Sequence, residues 1–180
     1  MPTNQASSRT APNMKLYLIR HATASHDAPT DEERQLTKEG HDEAGLVGRA
    51  MRALGAQPDH ILSSPLVRAL QTADALAHSL HLAKKVKVLK ELANDHPHAS
   101  LLRAIQPYHK DSEIILVGHE PSMSEHLIAF LGVKRLEAFP LGKASIACLE
   151  THGLEHGTGR LLFLLRQKQL RALAAMHHQK

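Results

Sequence analysis

The sequence predicts an α/β domain in which helices cover both faces of a mostly parallel sheet. Short apolar runs typical of buried strands alternate along the chain with longer segments whose apolar residues recur at helical spacing. The length of 180 residues suits one hydrophobic core. With 42% hydrophobic and 22% charged residues, the composition is that of a globular protein and excludes a disordered or fibrous chain.

The chain begins with a polar leader, which is followed by a strand and a helix. Residues 1–13 contain no apolar segment of the kind that a signal peptide needs, so we expect a flexible leader and a cytoplasmic protein. Residues 16–19 form an apolar run that indicates the first buried strand. Thr37 is placed to cap the first helix, and Gly55 is placed to end it.

The middle of the chain continues the alternation of strands and helices. Residues 60–63 indicate the second strand, and Pro65 predicts the first turn of a second helix that extends to about His81. Residues 86–89 indicate the third strand. The segment from residue 99 to about residue 108 is helical in pattern until Pro107 disturbs its end.

The last part of the chain contains the clearest strand, residues 113–117. A helix over residues 121–131 follows and is closed by Gly132. Residues 144–150 and 160–165 indicate two final strands, although the second run also fits the start of a C-terminal helix because Leu-rich runs have no clear period. Together these elements predict a compact three-layer α/β/α sandwich.

The charge pattern bears on possible partners. The net charge is +4, and residues 166–180 form a basic C-terminal tail or helix with no acidic residue. No aromatic residues interleave these charges, which disfavours nucleic acid as a partner, and no segment is long enough to span a membrane. The 15 histidines include no set with metal-ligand spacing, so we expect neither a metal nor another cofactor.

Basic and imidazole side chains follow three of the predicted strands. Arg20 and His21 end the first strand, Arg68 lies in the first turn of the helix after the second strand, and His119 follows the strand over residues 113–117. The carboxyl ends of parallel strands are where open α/β sheets bind their ligands. We therefore expect these four side chains to form one anion-binding pocket that suits a phosphoryl group.

This set of residues predicts covalent phosphoryl transfer without a metal. His21 is the candidate nucleophile, because the neighbouring arginines disfavour its protonation and only a neutral imidazole can attack phosphorus. His119 would hydrogen-bond the transferring group. An alkoxide leaving group needs an acid, and both Glu91 and Glu120 qualify by their position after strands.

Four segments resemble, in the same order, the motifs of the histidine phosphatase (phosphoglycerate mutase-like) superfamily and of its compact SixA-type phosphohistidine phosphatases. They are residues 16–22 (LYLIRHA), 34–40 (RQLTKEG), 63–73 (SSPLVRALQTA) and 117–121 (VGHEP). The resemblance extends from Met14 to about Leu165, which we take as the bounds of the phosphatase domain.

The resemblance implies a role for each matching residue. His21 would be the phosphorylated nucleophile, Arg20 and Arg68 would bind phosphate, His119 would complete the pocket, and the family's acid after the third strand would be Glu91. Ala22 replaces the glycine that usually follows the Arg-His pair, a substitution common in the SixA-type branch. No long cap insertion follows the third strand, so we expect an open pocket that admits a phosphorylated side chain on a folded protein.

The predicted function is therefore dephosphorylation of phosphohistidine on a protein, with a histidine-containing phosphotransfer domain as a candidate partner. Two alternatives stay open at this point. One is a phosphatase for a small phosphorylated metabolite, such as a sugar phosphate or nucleotide, because a fold does not determine its substrate. The other is an inactive phosphatase scaffold that binds an acidic partner or nucleic acid through its basic tail, which removal of residues 168–180 would test.

Overall fold

A six-stranded sheet forms the centre of the molecule in the computed structural model, which describes residues 14–82, 86–108 and 112–177. The predicted leader, residues 1–13, lies outside the described residues. The strands are β1 (Met14–Arg20), β2 (His60–Ser63), β3 (Val86–Val88), β4 (Glu113–Gly118), β5 (Ile146–Thr151) and β6 (Gly159–Leu165).

The strand order in the sheet is β3-β2-β4-β1-β5-β6. The first four of these strands are parallel, whereas β5 runs antiparallel to β1, and β6 runs antiparallel to β5. The sheet is therefore mostly parallel, as the sequence predicts. Because β4 lies between β2 and β1, the carboxyl ends of these three strands meet at one edge of the sheet.

The described helices are α1 (Lys38–Ala53), α2 (Val67–Ser79), α3 (His98–Ile105), α4 (Ser122–Leu131) and α5 (Gln167–His177). They lie on both faces of the sheet, because one apolar core contains side chains from α1, α2 and α5, and a second contains side chains from α3 and α4. Strand β1 contributes to both cores: Leu16 and Leu18 face one, and Tyr17 and Ile19 face the other. This arrangement confirms the predicted three-layer α/β/α fold.

Helix α1 begins where its capping residue predicts. The amide N–H of Gly40 donates to the hydroxyl oxygen of Thr37 over 3.0 Å. Gly40 is required for a second reason, since a Cβ atom there would lie 2.0 Å from the carbonyl oxygen of Thr23. The helix is thus packed directly against the loop that follows β1.

The prediction for the start of the second helix was wrong by one half-turn. Pro65 lies before the helix, and Leu66 is an extended N-cap with φ −68° and ψ 138°. The amide of Ser64 donates to the carbonyl of Val117 over 2.9 Å, which continues the β-type pairing past the end of β2. This bond keeps the chain extended until Val67, where α2 begins.

The C-terminal segment is more closely integrated than a tail. Residues 159–165 form strand β6, which excludes the alternative that this run begins a helix. Helix α5 follows, and its Leu170 and Ala174 side chains are buried in the same core as α1 and α2. No helix in the described part of the chain is both long and apolar enough to cross a membrane.

The connection between β3 and α3 is short. It contains one 3-10 turn, Lys90–Leu92, and no inserted subdomain, so the fold is compact on this side of the sheet. This agrees with the prediction that no large cap follows the third strand.

Candidate active site

The sheet brings the predicted residues of β1, β2 and β4 to one place. Arg20 pairs with Gly118 across the two central parallel strands, and the amide of His21 donates to the carbonyl of Gly118 over 2.9 Å. His119 therefore lies beside His21, with 5.0 Å between the centres of their rings. The first turn of α2 adds Arg68, whose Nε donates to Nε2 of His21 over 3.3 Å.

The hydrogen bonds of His21 determine which ring nitrogen can attack. Its Nδ1 lies 2.7 Å from the carbonyl oxygen of Ala22, and because a carbonyl only accepts, Nδ1 carries the proton. The lone pair of the neutral ring is then on Nε2, the atom that faces Arg68. The Ala22 peptide is held in turn by the hydroxyl of Thr72, which accepts from its amide over 3.1 Å.

His21 is neutral at physiological pH. Burial lowers its pKa to about 4; the hydrogen bond to the Ala22 carbonyl opposes this shift, and the charges of Arg68 and Arg20 add to it. His21 as a whole is only 7% exposed. A buried imidazole that stays neutral keeps an unprotonated nitrogen and so has the properties of a nucleophile, provided that Nε2 gives up the hydrogen bond from Arg68 when it attacks.

His119 is also neutral, and Ser64 determines its orientation. Burial lowers the pKa of His119 to about 3, with further contributions from His21 and Arg68. Its Nε2 lies 2.8 Å from the hydroxyl oxygen of Ser64, which already accepts from the amide of Leu66. Because a hydroxyl can both accept and donate, this contact fits either tautomer of the ring; when the Ser64 hydroxyl donates to Nε2, the ring proton is on Nδ1.

The Nδ1 atom of His119 is buried and has no hydrogen-bond partner among the described residues. The same is true of Nε of Arg20. Buried donors without partners are rare in proteins, and both belong to residues that the sequence predicts to bind phosphate. The donor set fits a tetrahedral oxyanion.

The turn between β4 and α4 needs a glycine before His119. A Cβ atom on Gly118 would lie 2.8 Å from the Cε atom of Met123 and 2.9 Å from the carbonyl oxygen of Leu92. The absence of a side chain lets the loop that carries Glu91 approach the end of β4 closely.

Arg20 is held by a main-chain group that no motif indicates. Its Nη1 donates to the carbonyl oxygen of Leu141 over 3.1 Å, and the amide of Leu141 donates to Oε1 of Glu120 over 3.0 Å. Oε1 of Glu120 also accepts from the Ser124 hydroxyl over 2.6 Å. Burial raises the pKa of Glu120, while these hydrogen bonds and the Arg20 charge oppose the rise.

Glu91 is placed differently from the other predicted residues. It lies half-buried in the 3-10 turn Lys90–Leu92, and it makes no hydrogen bond or ion pair with any described residue. The structure thus brings Arg20, His21, Arg68 and His119 together, and the catalytic and phosphate-binding roles of these four residues and of Glu91 stay predictions.

Sequence reasoning missed three groups that hold these side chains. Ser64 lies within the motif of residues 63–73, directly after β2, and this position at a strand end is the signal that could have identified it. Asp31, which contacts Arg68, lies in a loop with several acids and has no distinguishing pattern. The Leu141 carbonyl is a main-chain atom distant in sequence, so no residue type could indicate it.

The fold and the site define a class of protein: a three-layer α/β enzyme with paired histidines and arginines at the carboxyl edge of its sheet. The sequence profile of the histidine phosphatase superfamily (branch 1) matches residues 16–96. An uncharacterized protein of Picosynechococcus sp. is 32% identical over 152 residues, which are 82% of this chain and 88% of that relative. The chain belongs to the histidine phosphatase superfamily.

Within this superfamily the similarity extends to the SixA group. Phosphohistidine phosphatase SixA of Escherichia coli is 34% identical over 79 residues, which are 44% of this chain and 49% of that protein. The alignment thus spans about half the length of that curated relative. A solved structure of the protein histidine phosphatase SixA complexed with tungstate superimposes with a TM-score of 0.77 at 22% identity, covering 87% of this chain and 99% of that one.

Other solved structures with this fold are of phosphatases that are named for small molecules. A phosphoserine phosphatase of Entamoeba histolytica, in complex with phosphoserine, has a TM-score of 0.67 at 20% identity and covers 87% of this chain and 99% of that one. At this identity the likeness concerns the fold alone. Superfamily membership supports phosphatase chemistry through a histidine, and the substrate is a separate question.

Proposed function

We propose that this protein hydrolyses phosphohistidine on another protein through a covalent intermediate on His21. The observation that carries the proposal is the proton arrangement of His21: Nδ1–H is bound to the Ala22 carbonyl, and the Nε2 lone pair faces Arg68. A phosphoryl group bound by Arg68 would lie next to the attacking atom once Nε2 gives up its hydrogen bond from Arg68. Arg20 and His119 supply further donors to its oxygens.

In the first step, the lone pair on Nε2 of His21 attacks phosphorus in line with the substrate nitrogen. The bond from phosphorus to Nε2 forms, and the bond to the substrate imidazole breaks. The electron pair of the broken bond stays on the substrate ring. If the other nitrogen of that ring carries a proton, the ring leaves as neutral imidazole.

In the second step, water attacks the phosphorus of phospho-His21. The bond from the water oxygen to phosphorus forms, and the bond to Nε2 breaks and returns its electron pair to the ring. Both protons of the water stay on the product, which leaves as dihydrogen phosphate. His21 regains its original state, with Nδ1–H still available to the Ala22 carbonyl. Neither step needs a metal, a redox partner or another cofactor.

Two features support a phosphohistidine substrate over an alkyl ester. The connection from β3 to α3 is short and inserts no subdomain, which is the arrangement we expect for a site that admits a side chain on a folded protein. A neutral imidazole is also a better leaving group than an alkoxide, so the reaction needs no strong enzyme acid. The similarity to SixA, which carries the name phosphohistidine phosphatase, favours the same choice.

Glu91 is the proposed general acid for any ester substrate, with Glu120 as the alternative. The raised pKa of Glu120 suits an acid, but its Oε1 atom already accepts two hydrogen bonds. We expect Glu91→Gln to slow the hydrolysis of phosphoserine. The rate of phosphohistidine dephosphorylation should stay within about threefold of wild type, which is a change of about 0.7 kcal/mol in the activation free energy. The ratio of the two rates, measured for Glu91→Gln and Glu120→Gln, identifies the acid.

The proposal is tested by the turnover of a phosphorylated histidine-containing phosphotransfer domain beside that of phosphoserine and an aryl phosphate. Wild type is compared with His21→Ala and with His152→Ala, an exposed histidine in the β5–β6 connection that serves as the matched control. The proposal requires loss of the protein-bound phosphate that His21→Ala abolishes and His152→Ala preserves.

Two results would contradict it. Rapid hydrolysis of the small esters alone would indicate a metabolite phosphatase. No His21-dependent turnover of any substrate would favour the inactive binding scaffold.

For that scaffold, truncation of residues 168–180 is a poor test because Leu170 and Ala174 are part of the core. Changing the exposed Arg166, Lys168 and Arg171 to Gln removes the basic charge without removing the helix.

A further inference from the structure

Asp31 contacts the phosphate-binding arginine at the edge opposite the nucleophile. It lies in the loop between β1 and α1, far from Arg68 in sequence. Nη1 of Arg68 donates to the main-chain carbonyl of Asp31, and Nη2 donates to its Oδ2 atom over 2.9 Å. The remaining nitrogen, Nε, faces Nε2 of His21 over 3.3 Å. Asp31 thus binds both terminal nitrogens of the guanidinium, and Nε lies on the side of the attacking atom.

A second arginine holds Asp31 in this position. Nη1 of Arg34 donates to the other carboxylate oxygen, Oδ1, over 2.9 Å, and Nε of Arg34 donates to the carbonyl of Ser25 over 2.7 Å. The carboxylate therefore bridges two guanidinium groups, and Arg34 ties the bridge to the loop backbone. The hydrogen bond from Arg34 lowers the pKa of Asp31, and Arg68 lowers it further against the opposing effect of burial, so the bridge is charged at neutral pH.

The burial of the two partners indicates which one is being oriented. The Arg68 side chain is 6% exposed, whereas the Asp31 side chain is 59% exposed. A simple surface ion pair contributes little, but here the cation is buried and its direction decides whether it faces the phosphoryl group. An arginine has four side-chain torsions, and a bond at each edge of its guanidinium removes most of that freedom.

We propose that Asp31 is a positioning residue for phosphoryl transfer: it holds Arg68 by its terminal nitrogens, so that the guanidinium edge beside His21 is directed at the phosphoryl group. This inference rests on the proposed function for its catalytic meaning. The proposal predicts that the negative charge of Asp31 strengthens oxyanion binding, because the gain from orienting Arg68 exceeds the repulsion between the two anions. If Asp31 only competes with phosphate for Arg68, removing its charge should strengthen oxyanion binding instead.

The test compares wild type with Asp31→Asn, Asp31→Glu and Glu33→Gln. Glu33 is an exposed acid in the same loop and provides the matched control for a lost negative charge. Two quantities are measured: kcat and KM on the phosphorylated phosphotransfer domain, and the affinity for tungstate, a tetrahedral oxyanion, by calorimetry. Thermal unfolding of each variant verifies that the fold is intact.

For Asp31→Asn we expect kcat/KM and tungstate affinity to fall by about tenfold to a hundredfold, which is the effect of losing a charge-assisted hydrogen bond. Asp31→Glu restores part of this loss, and Glu33→Gln stays within about twofold of wild type, as surface changes usually do. A double-mutant cycle with Arg68→Lys adds a readout that a merely structural role would not move. If Asp31 acts through Arg68, Asp31→Asn has little further effect once Arg68 is replaced.

Three outcomes overturn the inference. The first is a kcat/KM and a tungstate affinity of Asp31→Asn that are both within twofold of wild type, and the second is tighter tungstate binding by Asp31→Asn. The third is full additivity of the effects of Asp31→Asn and Arg68→Lys in the double variant. The proposed function fails separately. If wild type does not dephosphorylate the phosphotransfer domain, that function is wrong, while the tungstate affinities still decide whether Asp31 orients Arg68.

Discussion

Lowering the pH from 7 to 5.5 should leave the reactivity of His21 nearly unchanged. A histidine with an ordinary pKa near 6.5 would become mostly protonated over this range and would lose its nucleophilic lone pair. In this protein, burial lowers the pKa of His21 to about 4, with the charges of Arg68 and Arg20 acting in the same direction. Its proton uptake should therefore occur below pH 5.

The size of the effect follows from the two pKa values. At pH 5.5, a group with a pKa of about 4 is about 97% neutral, whereas a group with a pKa of about 6.5 is about 9% neutral. The rate of His21 phosphorylation at pH 5.5 should thus exceed the value expected for an ordinary histidine by about tenfold. His119 does not interfere, because burial lowers its pKa to about 3.

Two measurements test this prediction. An NMR titration follows the ring signals of His21, which are assigned by their loss in His21→Ala. Single-turnover formation of phospho-His21 is then measured between pH 5 and pH 8, with His21→Ala as the blank for acid hydrolysis of the substrate. Far-UV circular dichroism at each pH verifies that the fold persists.

A midpoint near pH 6.5 in the NMR titration of His21 would refute the argument that burial and the two arginines keep this ring neutral. A midpoint near pH 4 in the titration, together with a rate that falls near pH 6.5, would indicate that a different group limits the reaction.

Three further predictions concern the groups that support the site and the fold. Ser64→Ala should remove the hydrogen bond at Nε2 of His119, visible as a change in its ring ¹⁵N shifts, and should lower kcat about tenfold, whereas Ser64→Thr keeps the hydroxyl and most of the activity. Glu120→Ala should raise KM more than it lowers kcat, because it frees the Leu141 peptide that binds Arg20, and Glu120→Gln should retain most of the affinity. His126, a buried residue of helix α4, has its pKa lowered to about 4 by burial, so its protonation in the unfolded chain costs the folded state up to about 2 kcal/mol between pH 7 and pH 5. His126→Leu should therefore flatten the pH dependence of stability, as urea unfolding at the two pH values would measure.

The sequence predicts the fold well because its signals are local. A buried strand needs a continuous apolar run, and residues 114–117 provide one wherever the strand is placed in the sheet. The Thr37 cap is equally local, since it depends on an amide three residues away. The start of α2 was misplaced because the bond between Ser64 and Val117 joins two different strands and overrides the preference of Pro65 for a first helical turn.

The candidate site divides in the same way. Arg20, His21, Arg68 and His119 could be predicted because polar groups at the ends of buried strands have few structural uses and the strand ends converge in an α/β sheet. The position of Glu91 after the third strand predicts only that it lies on the side of the sheet where the strands end. Its conformation in the 3-10 turn depends on contacts with other segments of the chain.

By itself, the sequence determined the order of strands and helices, the chemical types at the strand ends and therefore the class of reaction. The tertiary structure alone decided the hydrogen-bond partners of His21 and His119, the bridge from Arg34 through Asp31 to Arg68, and the support of Arg20 by Leu141. The physical reason is that residue type sets which groups can donate, accept or carry charge. Which of them do so at a given atom depends on distances of about 3 Å between segments that only the folded chain brings together.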